Sequence, residues 1–446
     1  MHHQYRIRVA IVLTVATFLS PNAHAKDPPA PPARLGELEK KLDDSLKIIG
    51  DLAARVKQLE MELASQRQTS AKTPEPKLPI TENAGVALAV DKRLMEVETR
   101  VAQMGNAPSR DATSLPLHGF ADVNAFARNG KRERGFGAGT LDFYLTPELG
   151  SGFKSLVELV VERGEDGGTA IDLERVQVGY SFSDAATLWM GRVHTPFGYW
   201  NTAFHHGQQL QTSIQRPRFI DFEDKGGIVP AHLVGLWLTG HIPVGSGKVT
   251  YDLVAANAPR ILDGVLDPNN FRATGRAAAF VGNLGYRFGG AAEGLRVGAH
   301  ALAYRTEDDG VNPLLGRAGN TRVRGTGLYL VYDSDSWDVI GESYFFRNRS
   351  LTEGGPSRSS NLAFLQVSYL TGYLTPYARW ERTRLDQRDD YFAGQTTGQS
   401  YQRGVLGIRF DTTPNSAIKV EANRTRFTDR DTDTYGEIRT EFSVRF

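Results

Sequence analysis

The last ten residues of the chain alternate between two kinds of side chain. Even positions carry Ile438, Thr440, Phe442, Val444 and Phe446, and odd positions carry Glu437, Arg439, Glu441, Ser443 and Arg445. Because successive side chains of a β-strand point to opposite faces, this segment predicts a strand with one apolar and one polar face. Its length suits a tilted strand that crosses a bilayer. The same pattern recurs in 405–410 and in 328–332.

Sixteen segments of this kind can be marked between Leu117 and the end of the chain. They predict an all-β domain over 115–446, a 16-stranded antiparallel transmembrane β-barrel. The predicted strands are 117–128, 138–149, 153–163, 172–182, 186–195, 232–242, 249–257, 277–288, 295–305, 323–332, 337–347, 360–370, 373–384, 400–411, 417–428 and 435–446.

The connections between these strands tend to alternate between short and long. The short ones are 150–152, 183–185, 243–248, 289–294, 333–336, 371–372 and 412–416, and the long ones include 196–231, 306–322, 348–359 and 385–399. Outer-membrane barrels have even strand numbers, tight periplasmic turns and long outward loops. With a periplasmic start, most short turns fall on the periplasmic side, where both termini end. The turn at 243–248 indicates an error of one hairpin in the count near it.

Composition supports a barrel and argues against membrane helices. The mean hydropathy is −0.35, and after the first twenty residues we find no run of about 18 apolar residues. A barrel alternates lipid-facing and water-facing side chains, so its average hydropathy resembles that of a water-soluble protein. The 46 glycines, 22 phenylalanines and 16 tyrosines also fit a barrel. The net charge of +1 gives no reason to expect a nucleic-acid partner.

The first 25 residues predict a secretory signal peptide. Arg6 and Arg8 form a basic start, 9–19 is apolar, and the segment ends in an A-x-A sequence at Ala23 and Ala25. Such a peptide is cut off after export. An uncleaved anchor helix is the alternative, but the apolar run is short for one.

A periplasmic coiled-coil segment is predicted over 26–64. Its apolar positions repeat in steps of three and four, with only Ser45 out of type: Leu35, Leu38, Leu42, Ser45, Ile49, Leu52, Val56, Leu59 and Leu63. Such a seam is buried by pairing with another helix, for which another copy of the chain is the expected partner. A proline-rich linker with a second short helix follows over 65–114. The pattern does not decide whether two or three helices associate, or whether the stalk binds a periplasmic partner. A solitary amphipathic helix lying on the barrel rim is the alternative to self-association.

The chain resembles the Gram-negative porins. Phe446 at the end of an alternating strand resembles their assembly signal, and the sixteen strands with the longest loop after strand five resemble the general trimeric porins. A coiled coil ahead of the barrel resembles the sucrose and dicarboxylate porins. The resemblance implies a homotrimer in outer-membrane lipid, a loop that folds into the lumen and narrows it, and recognition of the last strand by the barrel-assembly machinery. It covers 117–446 and 35–63 in pattern only, so it does not identify the solute.

The residues that select solutes in a pore are the charges of its narrowest part. If the loop after strand five folds inward, the constriction residues on it are Arg216, Arg218, Asp221, Glu223, Asp224 and Lys225. Alternation places five further polar residues on the inner wall: Asp142, Glu158, Glu162, Arg175 and Gln177. Arg192 shares the parity of apolar Leu188 and Met190, but a charge on the lipid face costs about 2–4 kcal/mol, so we place it inward. These charges could set a transverse field, or they could pair and hold the loop.

No sequence motif indicates an enzyme, a cofactor or a metal site. The chain has no G-x-S-x-G elbow, and its histidine pair, His205 and His206, lacks a third ligand at a suitable spacing. We interpret the five tryptophans mainly as interface anchors. We therefore expect a passive diffusion porin. The alternatives are a structural barrel whose stalk tethers the outer membrane to the cell wall or a periplasmic partner, an outer-membrane lipase, and a barrel that sheathes an electron carrier or export partner.

Overall fold

The computed structural model describes residues 117–129, 133–147, 149–163, 169–204, 207–223, 225–269, 278–306, 310–428 and 434–446. The predicted signal peptide (1–25), coiled-coil segment (26–64) and linker (65–114) lie outside these residues. His205, His206 and Asp224 also lie outside them.

Alternating side chains form long antiparallel strands throughout the described chain. The first seven are β1 (Leu117–Arg128), β2 (Arg134–Leu145), β3 (Phe153–Arg163), β4 (Thr169–Ser183), β5 (Ala186–His194), β6 (His232–Val244) and β7 (Gly247–Asn257). After a small hairpin of β8 (Arg260–Leu262) and β9 (Val265–Asp267) come β10 (Ala278–Arg287), β11 (Leu295–Arg305), β12 (Thr321–Asp333), β13 (Trp337–Ser350), β14 (Arg358–Tyr369), β15 (Leu374–Arg384), β16 (Tyr401–Thr413), β17 (Ser416–Phe427) and β18 (Tyr435–Arg445).

Sixteen of these strands form a closed barrel, which confirms the predicted strand number. Each strand pairs with its neighbours in the chain, β7 pairs with β10 across the hairpin, and β1 pairs with β18 to close the ring. The seam ends at two backbone hydrogen bonds, in which Phe446 N donates to Gly119 O (3.0 Å) and Gly119 N donates to Phe446 O (2.9 Å). Closure satisfies backbone groups that an open edge would leave exposed to lipid.

The positions of the turns show that the predicted count needed no correction. The turn after Val244 joins β6 to β7 at the same end of the barrel as the other short turns. The suspected error of one hairpin near 243–248 is therefore wrong. The largest displacement of a strand is in β2, predicted as 138–149 and found as Arg134–Leu145. The β8–β9 hairpin was not predicted, since its three-residue strands are too short to show alternation.

The outer surface of the barrel exposes many apolar side chains, with aromatic rings near the short turns. Met190, Leu328 and Leu406 are exposed, and each lies next to a buried side chain on its strand: Trp189, Tyr329 and Val405, respectively. At the turn end, exposed aromatic side chains pack in pairs, such as Tyr180 with Phe182 (4.9 Å between ring centroids) and Trp337 with Tyr369 (4.8 Å). Aromatic girdles of this kind mark the interfaces of barrels embedded in membranes.

In the part of the chain that the structure describes, helical structure is confined to single turns. They are α1 (Trp200–Ala203), α2 (Asp390–Ala393) and two 3-10 turns, Arg218–Ile220 and Gly290–Ala292. Within the described residues, no helix has the length and apolar character needed to span a membrane.

Candidate functional site

The connection between β5 and β6, residues 195–231, is here called the interior segment. Its two ends meet at a neck, where Thr195 N donates to Ala231 O (2.9 Å). The amide of buried Asn201 donates to both Thr195 O (2.9 Å) and Ala231 O (2.8 Å). Because these bonds join the start of the segment to its end, they fix its exit from the barrel wall.

One half of the interior segment packs on apolar side chains inside the barrel. Trp200 lies against Phe364 of β14 (5.5 Å between ring centroids), and Phe197 and Phe219 both lie against Tyr344 of β13 (5.2 and 5.4 Å). All five side chains are buried. Trp200 is therefore a core residue, which corrects its interpretation as an interface anchor.

Three inward-facing carboxylates bind the backbone of the segment. They lie on β13, β15 and β17, and the ring order places these strands across the barrel from β5 and β6. Glu342 accepts hydrogen bonds from the N–H groups of Tyr199 (3.0 Å) and Trp200 (2.7 Å), Glu381 from Arg218 (2.9 Å), and Glu421 from Ile214 (3.0 Å). Hydrogen bonds to an ionised acceptor are about twice as strong as neutral ones.

Three inward-facing cations bind carbonyl groups of the same segment. Arg379 donates to Gln215 O (2.8 Å), Arg409 donates to Gln209 O (2.8 Å) and Gln211 O (2.9 Å), and Lys419 donates to Ser213 O (3.3 Å) and Gln208 O. Buried backbone groups without partners are costly. The six charged side chains lie on β13 to β17, here called the far wall. They form the hydrogen bonds to the backbone of this irregular segment that a neighbouring strand would form in a sheet.

Two of the predicted constriction residues are buried within the interior segment itself. Arg216 donates to Asn201 Oδ1 (2.9 Å) and lies over the Phe222 ring. Burial lowers the pKa of the Arg216 guanidinium, and nearby Asp221 and Glu223 oppose part of that shift. Glu223 accepts from Ala231 N (2.5 Å) and lies 3.2 Å from His232 Nδ1. Burial alone would raise the pKa of the Glu223 carboxyl, but His232 holds it below its usual value.

The other three described constriction residues are at least partly exposed. Arg218 donates to Tyr435 OH on β18 (3.3 Å), and Asp221 accepts from the N–H of the next residue (3.0 Å). Lys225, whose side chain is 38% exposed, lies 2.6 Å from Glu162 of β3. This contact joins a basic residue of the segment to an acidic residue of the wall.

The predicted wall residues of β2 to β4 form a buried polar cluster. Asp142 accepts from Tyr144 OH (3.0 Å), and Glu158 pairs with Arg175 across the β3–β4 ladder. Gln177 is buried beside them. Asp142 and Glu158 have no exposed surface, whereas the Arg175 side chain is 17% exposed.

Arg192 belongs to a second buried polar cluster, whose other members, Glu174 and His232, were not predicted from the sequence. The β3–β4 register shifts between Glu158 and Leu159, which leaves Glu174 as an extra residue on β4. Glu174 lies 3.1 Å from Arg192 Nη2 and 2.9 Å from His232 Nε2. These pairs are of the kind expected if the charges hold the structure together, and the transverse field remains a prediction.

Loops at the end opposite the short turns also contact one another and the interior segment. Arg317 forms two hydrogen bonds with Asp390 of α2 (2.7 and 2.9 Å). Tyr391 OH donates to Ile228 O of the interior segment (2.9 Å). Thr396 N donates to Gly264 O of the β8–β9 hairpin (2.9 Å). These loops therefore support the interior segment from the end of the barrel opposite the short turns.

The six charges of the far wall were missed, although alternation could have found them. Arg379 and Glu381 alternate with outward Trp380, and Lys419 and Glu421 alternate with outward Val420. Parity therefore identifies such residues as inward, but it does not say which backbone groups they bind. Among the described residues, no group of three or more His, Asp or Glu side chains is placed to hold a metal ion.

Comparison with known proteins gives matches of structure alone. No family model matches the chain, and no curated protein matches it by sequence. Similar solved structures include OmpT of Vibrio cholerae, expressed in the outer membrane, with 9% identity and a TM-score of 0.51. They also include the outer membrane channel DcaP of Acinetobacter baumannii (11%, 0.51) and OmpF of Salmonella typhi in complex with daunomycin (12%, 0.50). Each covers 76% of this chain and 99% of the other. The chain therefore has the 16-stranded barrel fold of the outer-membrane porins.

Proposed function

We propose that the protein is an outer-membrane porin through which small hydrophilic solutes or ions diffuse passively. In this proposal, the interior segment narrows a water-filled lumen. The observation that carries it is the binding of that segment to six charged side chains on the opposite wall. A segment fixed in this way across a barrel makes a permanent constriction and is not a mobile loop.

Exposure divides the predicted pore residues into two groups. The buried residues hold the segment or the wall in place; they are Arg216, Glu223, Asp142, Glu158 and Gln177. The partly exposed ones are candidates for contact with the solute: Arg218, Asp221, Lys225, Glu162, Arg175 and Arg192. Asp224 stays a candidate from sequence alone. Because the second group contains both signs of charge, its balance at the narrowest point would decide the ion preference.

The proposal extends to export and assembly. The signal peptide directs the chain across the inner membrane, and the barrel-assembly machinery recognises the last strand and Phe446. The coiled-coil segment joins copies into a trimer from the periplasmic side. A heptad seam that needs a partner supports this part.

Single-channel conductance in planar bilayers tests the proposal. The wild-type protein should give stepwise openings, in threes for a trimer, and the sign of the reversal potential in a salt gradient gives the ion preference. The Glu381→Gln/Glu421→Gln variant weakens two anchors of the segment and should raise the conductance per opening. Glu437→Gln is the matched control, since Glu437 is an inward carboxylate that pairs with Arg128 and Arg439.

A closed structural barrel is the second candidate, because several inward charges have no exposed surface. Glu158, Lys419 and Glu421 are each 0% exposed. If the wild-type barrel never conducts but the anchor variant does, the segment is a plug and this candidate is correct. If neither protein conducts although both are folded, the porin proposal fails.

A further inference from the structure

The Arg218 side chain of the interior segment lies among aromatic rings of the inner wall. Its guanidinium carbon is 5.6 Å from the ring centroid of Phe427 on β17 and 6.0 Å from that of Tyr401 on β16. Its Nη1 donates to Tyr435 OH on β18 (3.3 Å). A guanidinium at such distances is attracted by the negative face of an aromatic ring. These four residues are here called the arginine–aromatic cluster.

The charge of Arg218 is not balanced by a carboxylate of the wall. Among the described residues, no carboxylate forms a salt bridge with it. Glu381 accepts from the backbone N–H of Arg218 (2.9 Å), but its side chain pairs with Arg379 (2.9 Å) and lies 4.0 Å from Arg403. Because the Arg218 side chain is partly exposed, its charge can meet an anion from the lumen.

The local backbone fixes the position of this guanidinium. Arg218 begins the 3-10 turn Arg218–Ile220, whose other two side chains are buried. Phe219 packs against Tyr344 of β13, and Glu381 of β15 holds the N–H of Arg218. Since successive side chains of a 3-10 turn point about 120° apart, burial of the next two directs Arg218 away from them. A cation fixed in this way loses little freedom when it binds an anion.

Two rings of the cluster are accessible from the lumen. Phe427 and Tyr435 share the parity of buried Thr425 and Glu437, are partly exposed, and lie 6.3 Å apart between centroids. Arg128 lies over the Tyr435 ring (4.7 Å), and Glu437 pairs with it (2.7 Å). The charge of Arg128 is therefore matched, and its contact with the ring holds Tyr435 in place.

We propose that the arginine–aromatic cluster binds a small aromatic carboxylate, whose carboxylate accepts hydrogen bonds from Arg218 and whose ring packs on Phe427 and Tyr435. The paired donors of a guanidinium match the two oxygens of a carboxylate, and aromatic pairs are more stable than their apolar area alone predicts. A neutral sugar fits less well, because the Tyr401 hydroxyl is already bonded to Glu381 (3.0 Å). The inference rests on the proposed function, since the solute reaches the cluster through the lumen, and it names a class of solute.

Inhibition of the potassium chloride current in planar bilayers tests the site in the full-length protein. The probe is benzoate. Cyclohexanecarboxylate is the matched acid without an aromatic ring, and benzamide is the matched ring without the charge. Benzoate should inhibit at concentrations about fivefold lower than cyclohexanecarboxylate, which corresponds to about 1 kcal/mol from ring packing. Benzamide should have little effect.

Variants separate the charge from the rings. Arg218→Gln should raise the half-inhibitory concentration of benzoate by about tenfold, because it removes the charge-assisted hydrogen bonds. Arg218→Lys should recover only part of this loss, since it keeps the charge without the paired donors. Phe427→Leu should abolish the preference for benzoate over cyclohexanecarboxylate while leaving inhibition by the second acid unchanged.

Arg287→Gln is the control for a general effect of charge in the lumen. Arg287 ends β10 at the turn end of the barrel and shares the inward parity of buried Asn283, so it lies outside the cluster. Inhibition by benzoate should be the same in this variant as in wild type. Equal inhibition of wild type and Arg218→Gln would overturn the inference, and so would equal losses in Arg218→Gln and Arg287→Gln.

The current in potassium chloride alone separates failure of this inference from failure of the porin proposal. If wild type conducts but the two acids inhibit equally, the cluster does not recognise aromatic rings and only this inference is wrong. If wild type does not conduct, the porin proposal fails, and ligand-observed NMR of benzoate with the folded protein in detergent decides the site. A signal lost in Arg218→Gln supports the site, and equal signals in the two proteins overturn it. Inhibition by maltose at the concentrations at which benzoate acts would assign the rings to sugars and overturn it too.

Discussion

Lys419 shows how this barrel tolerates charge in its interior. The side chain has no exposed surface, and its Nζ lies 3.0 Å from Glu441 Oε1 and 3.3 Å from Ser213 O. Taking an ion out of water costs several kcal/mol unless a partner and further hydrogen bonds replace its hydration. Here Glu441 supplies the opposite charge and the interior segment supplies the carbonyl groups. The pair therefore joins the wall to the segment.

Lys419→Met should lower the free energy of unfolding by about 3–5 kcal/mol, because it leaves the Glu441 charge buried and unpaired. Reversible urea unfolding of the barrel in lipid vesicles, followed by tryptophan fluorescence, measures the change. Arg439→Met is the matched control. It breaks a pair on β18 in which the arginine is 22% exposed, and Glu437 keeps Arg128 as a partner (2.7 Å), so the loss should be about 1 kcal/mol or less.

The double variant Lys419→Met/Glu441→Leu should recover part of the loss, since no charge is then left without a partner. Equal losses for Lys419→Met and Arg439→Met would contradict the buried-pair interpretation. A further loss in the double variant would contradict it too.

At the level of single residues, parity predicted the side of the barrel but not the partner. Alternation placed Glu158 and Arg175 inward together, and they pair. Glu174 was missed because a bulge adds one residue to β4, and an added residue shifts the alternation that the prediction follows. The bond from Arg379 to Gln215 O joins residues far apart in the chain, and no local pattern specifies it.

Among the elements, α2 depends on a buried carboxylate. Asp389 accepts from Tyr391 N (3.1 Å) and thereby caps the helical turn, and it also accepts from Asn348 Nδ2 on β13 (2.9 Å). Burial raises the pKa of Asp389 from its ordinary 3.8 to about 7, although these two hydrogen bonds oppose the shift. The loop that carries α2 also holds Ile228 of the interior segment through Tyr391. The protonation state of Asp389 can therefore affect the interior segment.

The α2 loop should be more stable in mild acid than in mild alkali. Because the folded pKa of Asp389 lies above the unfolded one, its protonated form contributes stability that is complete below about pH 4 and is lost as the pH rises through about 7. Hydrogen exchange of peptides from 385–399, corrected for intrinsic rates, should show greater protection at about pH 5 than at about pH 8. Asp389→Asn should abolish this difference. If the variant keeps the difference, another group is responsible.

Long strands were predictable because each carries several periods of alternation, and most predicted boundaries differ little from those found. The interior segment has no such period. Its sequence predicted a long loop and the charges on it. Its path depends on side chains of β13, β15, β16 and β17, which are distant in the chain. The path of the segment could therefore not be predicted from its own residues.

At the scale of the whole molecule, closure depends on the meeting of the first and last strands. The ring of Phe446 lies 6.2 Å from that of Phe143 on β2, so the last residue also contacts the strand beyond β1. A methyl group on Gly119 would lie 2.4 Å from this ring. Gly119 therefore leaves room for the terminal side chain at the seam.

Phe446 thus has two possible roles, closing the seam and serving as the assembly signal, and one pair of experiments separates them. Phe446→Ala keeps the two backbone bonds to Gly119. If assembly machinery recognises the ring, folded barrel in cells should fall severalfold, while refolding of purified protein into vesicles should change little. The fraction that migrates as folded protein on unheated gels measures both. Phe442→Ala, at an outward position of the same strand, is the control. Gly119→Val should lower the folded fraction both in cells and in vesicles, because the valine side chain disturbs closure of the barrel. Equal losses for Phe446→Ala in cells and in vesicles would assign the residue to closure alone.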